Sequence, residues 1–170
     1  MASAEPESVA DVEAAALVQA TPQEVFDFLS DLRNHWRMAD RFVEVVSVEA
    51  SDGMHADGGR VRVRGPLGLG RTATTQVAAA RRPRLIIGTA EIGGRTRARV
   101  SWTLGGRLGS TRVRLAAEIQ RASPFDRLLL ALGGRWWLRR LFARTLDHLA
   151  RELASPSTAV DSAQPGRVGV

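Results

Sequence analysis

The sequence predicts a single α+β domain in which an antiparallel sheet of about seven strands wraps around a long C-terminal helix. Three observations support this fold class. A strand-like segment near the N-terminus runs directly into two short helical segments, the middle of the chain alternates apolar and polar residues without intervening helices, and a long apolar helix closes the pattern. The 170 residues suit one domain, and a sheet wrapped around a helix usually encloses a cavity.

The first strand and the first helix meet at a well-marked junction. The apolar residues Val12, Ala14, Ala16 and Val18 alternate with positions that include the polar Asp11, Glu13 and Gln19, as in an amphipathic strand. The run Thr21-Pro22-Gln23-Glu24 then starts a helix, because threonine caps, proline fits the first helical position and glutamate completes a capping box. A break at Ser30-Asp31 separates a second short helix, predicted from Leu32 to Ala39. The buried face of the first helix is predicted to consist of Val25, Phe26, Phe28 and Leu29.

Strand signals dominate the middle of the chain. Valine-rich or alternating segments are separated by turn residues such as Ser51-Asp52-Gly53 and Gly105-Gly106. Because no helical segment lies between them, these strands are predicted to form an antiparallel meander. The six predicted strands span residues 42–50, 60–64, 72–80, 85–92, 95–104 and 112–120.

The final helix is predicted from Ser123, its cap, to about Leu153. Gly133-Gly134 interrupts the pattern and indicates a kink or a break. Its buried face is predicted to include Leu138, Phe142, Leu146, Leu149 and Leu153. The domain is therefore expected over residues 9–153, after a loose leader at residues 1–8 and before a disordered tail at residues 154–170.

The junction A-T-P-Q-E-V-F, at residues 20–26, and the order of the elements resemble the START-like (SRPBCC) superfamily. More narrowly, the chain is similar to the polyketide cyclase/dehydrase and lipid-transport group, over about residues 9–153. The resemblance implies a helix-grip fold, in which a curved sheet grips the C-terminal helix. It also implies a hydrophobic ligand pocket between the sheet, the long helix and the two short helices. The superfamily contains both cyclases and carriers, so the resemblance does not decide between an enzyme and a binding protein.

The first functional hypothesis is a cavity for a small hydrophobic or aromatic ligand, of lipid, polyketide or quinone type. The resemblance places Trp36 at the pocket mouth, where it would wall the ligand or hold its helix to the sheet. Thr75 and Val77 are expected to share an inward face with Ala73 and Ala79, and such small residues indicate unfilled volume. Small residues beside Trp102 leave room either for a ligand or for the helix. The expected wall consists of Trp36, Val61, Val63, Thr75, Val77, Trp102, Leu138 and Phe142.

The second hypothesis is a polyketide aromatase/cyclase, or cyclase/dehydratase, that folds a poly-ketone chain in the same cavity. His35 is its candidate acid or base, because the ordinary pKa of histidine is near neutral. The alternative for His35 is a solvent-facing position at a helix start. No catalytic triad order, nucleotide-binding glycine motif or tyrosine is present. His55 is expected in an exposed turn and His148 on the last helix; with no cysteine either, we predict neither a metal site nor a cofactor.

The charge suggests a third hypothesis. The net charge is +6, and all 24 basic residues are arginine, which favours a GC-rich, bacterial coding sequence. Arginines that alternate with apolar residues on three strands should lie on the outer face of the sheet, with Asp11 and Glu13 neutralising Arg112 and Arg114. An anionic partner would be a membrane surface or RNA. Nucleic acid is not expected, since no aromatic residues interleave with the sheet arginines to stack bases. The strand arginines are Arg60, Arg62, Arg64, Arg95, Arg97, Arg99, Arg112 and Arg114.

The last helix mixes arginines with tryptophans, as in Arg135-Trp136-Trp137 and Arg139-Arg140. This composition is typical of a helix at a membrane interface, but also of a core helix whose arginine stems cover apolar surface. We find no secretory signal and no run of about 18 apolar residues, so a soluble cytoplasmic protein is expected. The sequence predicts neither the ligand nor the oligomeric state.

Overall fold

One antiparallel sheet forms the framework of the protein in the computed structural model. Its strands are β1 (Val12–Val18), β2 (Val43–Glu49), β3 (Gly58–Arg64), β4 (Gly70–Arg81), β5 (Leu85–Ile92), β6 (Thr96–Arg107) and β7 (Ser110–Arg121). The seven strands are ordered β1-β7-β6-β5-β4-β3-β2, and every neighbouring pair is antiparallel. The structure describes residues 10–39, 42–65, 68, 70–107 and 109–154. The predicted leader, and residues 155–170 of the predicted tail, lie outside this range.

Four α-helices within the described residues complete the fold. Two short ones, α1 (Pro22–Leu29) and α2 (Leu32–Ala39), follow β1, and α3 (Pro124–Leu129) and α4 (Arg135–Ala154) follow β7. A π-helical segment, Leu130–Gly134, joins α3 to α4. Inside it Leu132 leaves helical geometry and Gly133 has a φ of 114°, a conformation that glycine adopts without strain. The predicted helix-grip fold and the predicted kink are both confirmed.

The start of α1 has the geometry that its sequence predicts. The Thr21 side chain accepts a hydrogen bond from the Glu24 backbone N–H at 3.3 Å, and the Glu24 carboxylate accepts one from the Thr21 N–H at 2.7 Å. This reciprocal capping box satisfies donors at the first turn of the helix. It therefore fixes α1 immediately after β1, with Val25 and Leu29 fully buried.

The hydrophobic core has two parts that adjoin each other. The larger part joins α1 and α4 to the inner faces of β1 and β7, and its most deeply buried members include Val113, Leu146 and Leu149. The smaller part contains Leu32 and Trp36 of α2 together with Ala56, Val61 and Ala73. Val77 packs against both parts, so the region between them lies under α2 at the middle of the sheet.

The predicted strand arginines other than Arg95 lie exposed or half-buried on the strands, as predicted, whereas Arg95 lies in the turn before β6. The pairing of β1 with β7 brings Glu13 to Arg114, whose Nε donates to the carboxylate at 3.1 Å. The prediction that Asp11 neutralises Arg112 is wrong. Asp11 precedes β1, and its carboxylate accepts from the Ile119 N–H at 2.8 Å and lies 3.3 Å from Arg135. It therefore connects the sheet edge to the beginning of α4.

A β-bulge in β4 changes which side chains face inward. Val77 pairs with Gly88, but the next paired residue, Ala79, lies opposite Ile87. The extra residue, Ala78, shifts the alternation, so Ala79 shares the outward face of Ile87. The expectation that Ala79 faces inward with Thr75 and Val77 is therefore wrong, and Ala79 is exposed.

The buried carboxylate of Asp126 attaches α3 to the sheet. It accepts hydrogen bonds from the Thr96 hydroxyl, from the Ser123 hydroxyl at 2.7 Å and from the Arg71 guanidinium. Burial alone would raise the pKa of Asp126, but these three donors outweigh it and hold the pKa below the ordinary value. The start of α3 is thereby tied to β4 and β6.

Candidate functional site

A cavity of about 130 Å³ lies between α2 and the inner face of β4, β5 and β6. It occupies the region where the two parts of the core meet, and most of its wall is apolar, as is usual for a ligand pocket. Its lining consists of Leu32, His35, Trp36, Thr75, Gln76, Val77, Ile86, Gly88, Thr89, Ala90, Val100 and Trp102.

Three residues of α2 face this cavity because of helical spacing. Leu32, His35 and Trp36 are three and four residues apart, so they lie on one face of the helix. The start of α2 is fixed to the loop before β3, since the Leu32 N–H donates to the Ala56 carbonyl at 2.8 Å. The Asp31 carboxylate accepts from the backbone N–H groups of Arg33 at 2.9 Å and Ala56 at 3.3 Å. Burial opposes the charge of Asp31, yet these bonds and the Arg33 side chain lower its pKa.

His35 is the one imidazole in the wall of this cavity. Its Nε2 lies 2.6 Å from the backbone carbonyl of Leu29. A carbonyl oxygen only accepts, so Nε2 carries the hydrogen and donates. Burial lowers the pKa of His35 to about 4, although the Leu29 carbonyl and the Asp31 carboxylate act in the opposite direction. At neutral pH the ring is therefore neutral, with an unprotonated Nδ1.

The second ring nitrogen of His35 is left without a hydrogen-bond partner. Within the described part of the chain, Nδ1 makes no hydrogen bond, and no buried side-chain nitrogen or oxygen lacks a partner. Nδ1 therefore retains accessible surface. A neutral imidazole with an accessible lone pair accepts a hydrogen bond from a hydroxyl group, but it donates none from that nitrogen.

The indole of Trp36 depends on a glycine beneath it. A Cβ atom built on Gly59 would lie 2.6 Å from the Trp36 ring and closer still to the Ser47 carbonyl oxygen. Only a residue without a side chain leaves room for this ring, which is 5% exposed. Gly59 therefore sets the position of the aromatic wall contributed by α2.

The Thr75 hydroxyl in the wall is partly engaged. It lies 3.5 Å from the Gly59 carbonyl, which is a long and weak hydrogen bond. Thr75 therefore keeps part of its hydrogen-bonding capacity. Chemically, the cavity offers a mostly apolar wall, aromatic surfaces from Trp36 and Trp102, and the His35 ring.

The structure brings together five of the residues predicted for the site. The wall contains His35, Trp36, Thr75, Val77 and Trp102 from the expected set, and His35 is not solvent-facing as the alternative had it. Four expected residues are elsewhere. Leu138 and Phe142 do not line the cavity because α4 packs mainly along β1 and not over the middle of the sheet, whereas Val61 and Val63 lie on β3, beside the strands that form the wall. Phe142 packs on the larger part of the core, Leu138 is half-buried on α4, and Val61 and Val63 pack with the smaller part.

Several lining residues were not predicted. Ile86, Gly88 and Ala90 alternate along β5, and this period of two was visible in the sequence as one inward face. Leu32 could have been found from its spacing to His35 and Trp36. What the sequence lacked was the information that β5 lies opposite α2.

A second depression, of about 250 Å³, lies between α2 and α4. Ionisable side chains of Arg144, His148 and Arg151 contribute to its wall, and the Arg144 guanidinium lies 5.7 Å from the Phe42 ring centre. Its charged character makes it a poorer enclosure for an apolar molecule than the first cavity. The rest of its wall consists of Met38, Ala39, Phe42 and Leu141.

The described residues contain neither a metal-ion cluster nor a membrane-spanning helix. No cluster of three or more histidine, aspartate or glutamate side chains among them is arranged to hold a metal ion. His55 lies in an exposed turn, as predicted, and its Nδ1 is 3.0 Å from the Asp52 carboxylate. None of the helices in the described ranges is both long and apolar enough to cross a bilayer.

Comparison with known proteins agrees with this architecture. A family model described as polyketide cyclase / dehydrase and lipid transport matches residues 9–154. Among solved structures, TTHA0849 from Thermus thermophilus superposes with a TM-score of 0.61 at 18% identity, covering 86% of this chain and 99% of that chain. Ms6760 from Mycobacterium smegmatis gives a TM-score of 0.59 at 15% identity, over 83% and 88% of the two chains.

A third structure is similar over part of its length. DynU16, described as a putative protein in the dynemicin biosynthetic locus, gives a TM-score of 0.54 at 18% identity and covers 85% of this chain but 47% of its own. At these identities the likeness concerns the fold. No curated protein sequence matches the chain significantly.

Proposed function

The chain belongs to the polyketide cyclase/dehydrase and lipid transport family, and from this we propose that it binds a small apolar or aromatic ligand in the cavity under α2. The observation that carries the proposal is a mostly apolar cavity wall that includes His35, whose Nδ1 makes no hydrogen bond within the described residues; we propose that this nitrogen accepts a hydrogen bond from the ligand. Such an enclosure favours an apolar body with a hydroxyl or enol group at one edge. Lipid, polyketide and quinone-derived molecules all include members with these two features.

The volume of the cavity narrows the ligand class. A cavity of about 150 Å³ holds benzene, and drug-sized ligands occupy roughly 300 to 1,000 Å³. The 130 Å³ here therefore fits one ring, or a short stretch of chain, with the rest of a larger ligand extending outside. A single hydroxylated ring has few atoms with which to bind, so we expect a Kd of roughly 0.1 to 1 mM for phenol.

A titration with phenol and with 1-naphthol tests the proposal. Binding is monitored by the changes in the NMR signals of the Trp102 indole and the His35 ring. Ala90 lines the cavity, so Ala90→Leu fills it and should abolish saturable binding. Ala15→Leu, on the exposed face of β1, makes the same chemical change outside the cavity and should bind like the original protein. A response that never saturates, or that survives Ala90→Leu, contradicts the proposal.

Contact with His35 should also make the site selective for hydroxyl groups. A phenol can donate to Nδ1, whereas toluene cannot, and a neutral hydrogen bond is worth about 1 kcal/mol net. Phenol should therefore bind about fivefold more tightly than its apolar area alone predicts. His35→Phe should remove this preference and leave toluene binding nearly unchanged. Equal preference in both proteins would show that Nδ1 does not contact the ligand.

The second candidate is a cyclase that uses the same nitrogen, and the observation that favours it is the presence in the cavity wall of His35, whose Nδ1 makes no hydrogen bond within the described residues. In an aldol closure, Nδ1 would take a proton from a carbon next to a carbonyl. The resulting enolate carbon would attack another carbonyl of the chain, and the new alkoxide would take that proton back. Loss of one water would then give the ring its next double bond. A pKa of about 4 makes His35 a weak base, so binding remains the leading function.

Ring formation from a synthetic linear triketone distinguishes the two candidates. A cyclase requires that the original protein accelerates ring formation. The His35→Gln variant should then lose this turnover but keep its affinity for toluene. No acceleration would remove the cyclase candidate and leave ligand binding to be judged by the phenol titration.

A further inference from the structure

The kinked helix at the end of the fold carries an exposed apolar surface. Phe125, Leu128, Leu132 and Trp136 are 53%, 57%, 75% and 65% exposed. All four lie within residues 125–136, on either side of the break between α3 and α4. Neither the cavity under α2 nor the depression between α2 and α4 uses any of them. This surface therefore has no role in the proposed ligand binding.

The exposed apolar residues lie on either side of a break in the helix. Leu132 has non-helical dihedral angles and Gly133 adopts a φ of 114°, so the helix is interrupted at Leu132, the most exposed of the four. Ala131 and Gly133 beside it are exposed as well. The described part of the chain therefore leaves this short apolar segment uncovered.

The surroundings of these apolar side chains are positively charged. Arg127, Arg135, Arg139 and Arg140 are all exposed, and the Arg140 guanidinium lies 5.6 Å from the Trp136 ring centre. Between residues 125 and 141 the single acidic residue is Asp126, which is buried and bonded to Arg71. We call the four apolar residues and these four arginines the kink patch.

We propose that the kink patch docks the protein onto an anionic phospholipid surface. The leucines and aromatic rings would enter the boundary between headgroups and acyl chains, while the arginines would contact the lipid phosphates. Tryptophan and arginine are suited to that boundary because each combines an apolar body with a polar end. The inference is independent of the proposed function, since it concerns a different surface.

Two other partners fit the patch less well. A second copy of the chain would bring arginines against arginines, because a two-fold interface places the same surface on both sides. Among the described residues, the one carboxylate that contacts a patch arginine, that of Asp11, is already paired with Arg135, so Arg127, Arg139 and Arg140 would meet their copies without an acidic partner from the patch. A nucleic acid would match the charge, but Leu132, the most exposed member, cannot stack on a base.

Vesicle flotation tests this inference with the full chain. The protein should float with vesicles of phosphatidylcholine containing about one-third phosphatidylglycerol, and not with phosphatidylcholine alone. Binding should fall steeply as the salt concentration rises from about 0.05 to about 0.3 M. The double variants L132S/W136S and R139Q/R140Q should each weaken binding at least about tenfold. All four positions are exposed, so the fold should tolerate these changes.

Matched changes elsewhere serve as controls. Leu17→Ser, at a position on β1 that is 60% exposed, is the control for the apolar changes. R60Q/R62Q, at exposed positions on β3, is the control for the arginine changes. Both controls should retain vesicle binding. The inference is overturned if the protein does not float, or if the controls lose binding as much as the patch variants. It is also overturned if L132S/W136S abolishes a dimer in sedimentation velocity, or RNA binding, while flotation is unchanged.

Discussion

The imidazole of His35 lies edge-on against the indole of Trp102, with ring centres 5.1 Å apart and ring planes inclined at 61°. This contact joins α2 to β6 across the cavity. Together with the Leu29 carbonyl, it fixes the ring in one orientation. A preformed wall of this kind costs little ordering when a ligand enters, which favours binding by a small molecule.

The depressed pKa of His35 makes stability depend on pH. Its pKa is about 4 in the folded protein, against an ordinary value of 6.5, so between these values the unfolded chain binds a proton that the folded chain does not. Stability should therefore rise by about 2 to 3 kcal/mol as the pH increases through this window, and be fully present above it. Urea unfolding at about pH 5 and about pH 7 measures the difference.

A variant without the titrating ring isolates the contribution of His35. In His35→Gln the rise between the two pH values should shrink by most of that amount, whereas Gln23→Ala, an exposed change without a titrating group, should keep it. An unchanged pH dependence in His35→Gln would show that the ring titrates near its ordinary pKa.

Gly59 should be intolerant of even the smallest side chain. Gly59→Ala places a methyl group where the Trp36 ring and the Ser47 carbonyl now lie, so we expect a loss of about 2 to 3 kcal/mol and a displaced indole. Chemical denaturation and tryptophan fluorescence measure the two effects. Gly105→Ala, where the added Cβ meets nothing within 4 Å, is the control. Equal stability of the two variants would refute the steric argument.

Asp126 should matter for the attachment of α3. Asp126→Asn removes the charge that the Arg71 guanidinium contacts and should cost about 2 kcal/mol. Because the pKa of Asp126 is lowered by folding, its stabilisation is present above the ordinary pKa and is lost as the pH falls through the folded value. In Asp126→Asn, the hydrogen exchange of the α3 backbone amides should be faster than in the original protein. The exposed Asp147 on α4 provides Asp147→Asn as a control, which should leave exchange unchanged.

The size of the cavity should set ligand selectivity. Ile86 is 2% exposed and lines the cavity, so Ile86→Val removes one methyl group from the wall. Affinity for 1-naphthol should rise relative to phenol, at a stability cost of about 1 kcal/mol. Ile87→Val, on the opposite face of the same strand, should leave the ratio of the two affinities unchanged. If Ile86→Val leaves the ratio of the 1-naphthol and phenol affinities unchanged, the ligand does not contact this wall.

The fold could be predicted because local signals agreed with one another. The capping box at Thr21, the alternation within the strands and the glycine pair in the last helix each specified a local structure that was then found. The inward direction of Thr75, Val77 and Trp102 followed from alternation alone. The bulge after Val77 could not be predicted, since nothing in a run of three alanines marks which residue is extra.

The candidate site was predictable only in part, because it depends on how the elements pack. His35 and Trp36 were named, but the closeness of His35 to Trp102 is a tertiary contact with no local signature. Leu138 and Phe142 were placed in the wall on the expectation that the pocket lies between the sheet and the long helix. In the structure α4 lies along β1, so these side chains pack elsewhere. The pKa of His35 likewise follows from burial that the sequence did not reveal.

The most direct test of ligand binding under α2 is the set of intermolecular NOEs between bound 1-naphthol and the side chains of the protein. We predict contacts from the naphthol ring to the Trp102 indole and to the methyl groups of Ala90 and Val100, which line the cavity. Contacts to Phe42 and Leu141 would instead place the ligand between α2 and α4 and contradict the account.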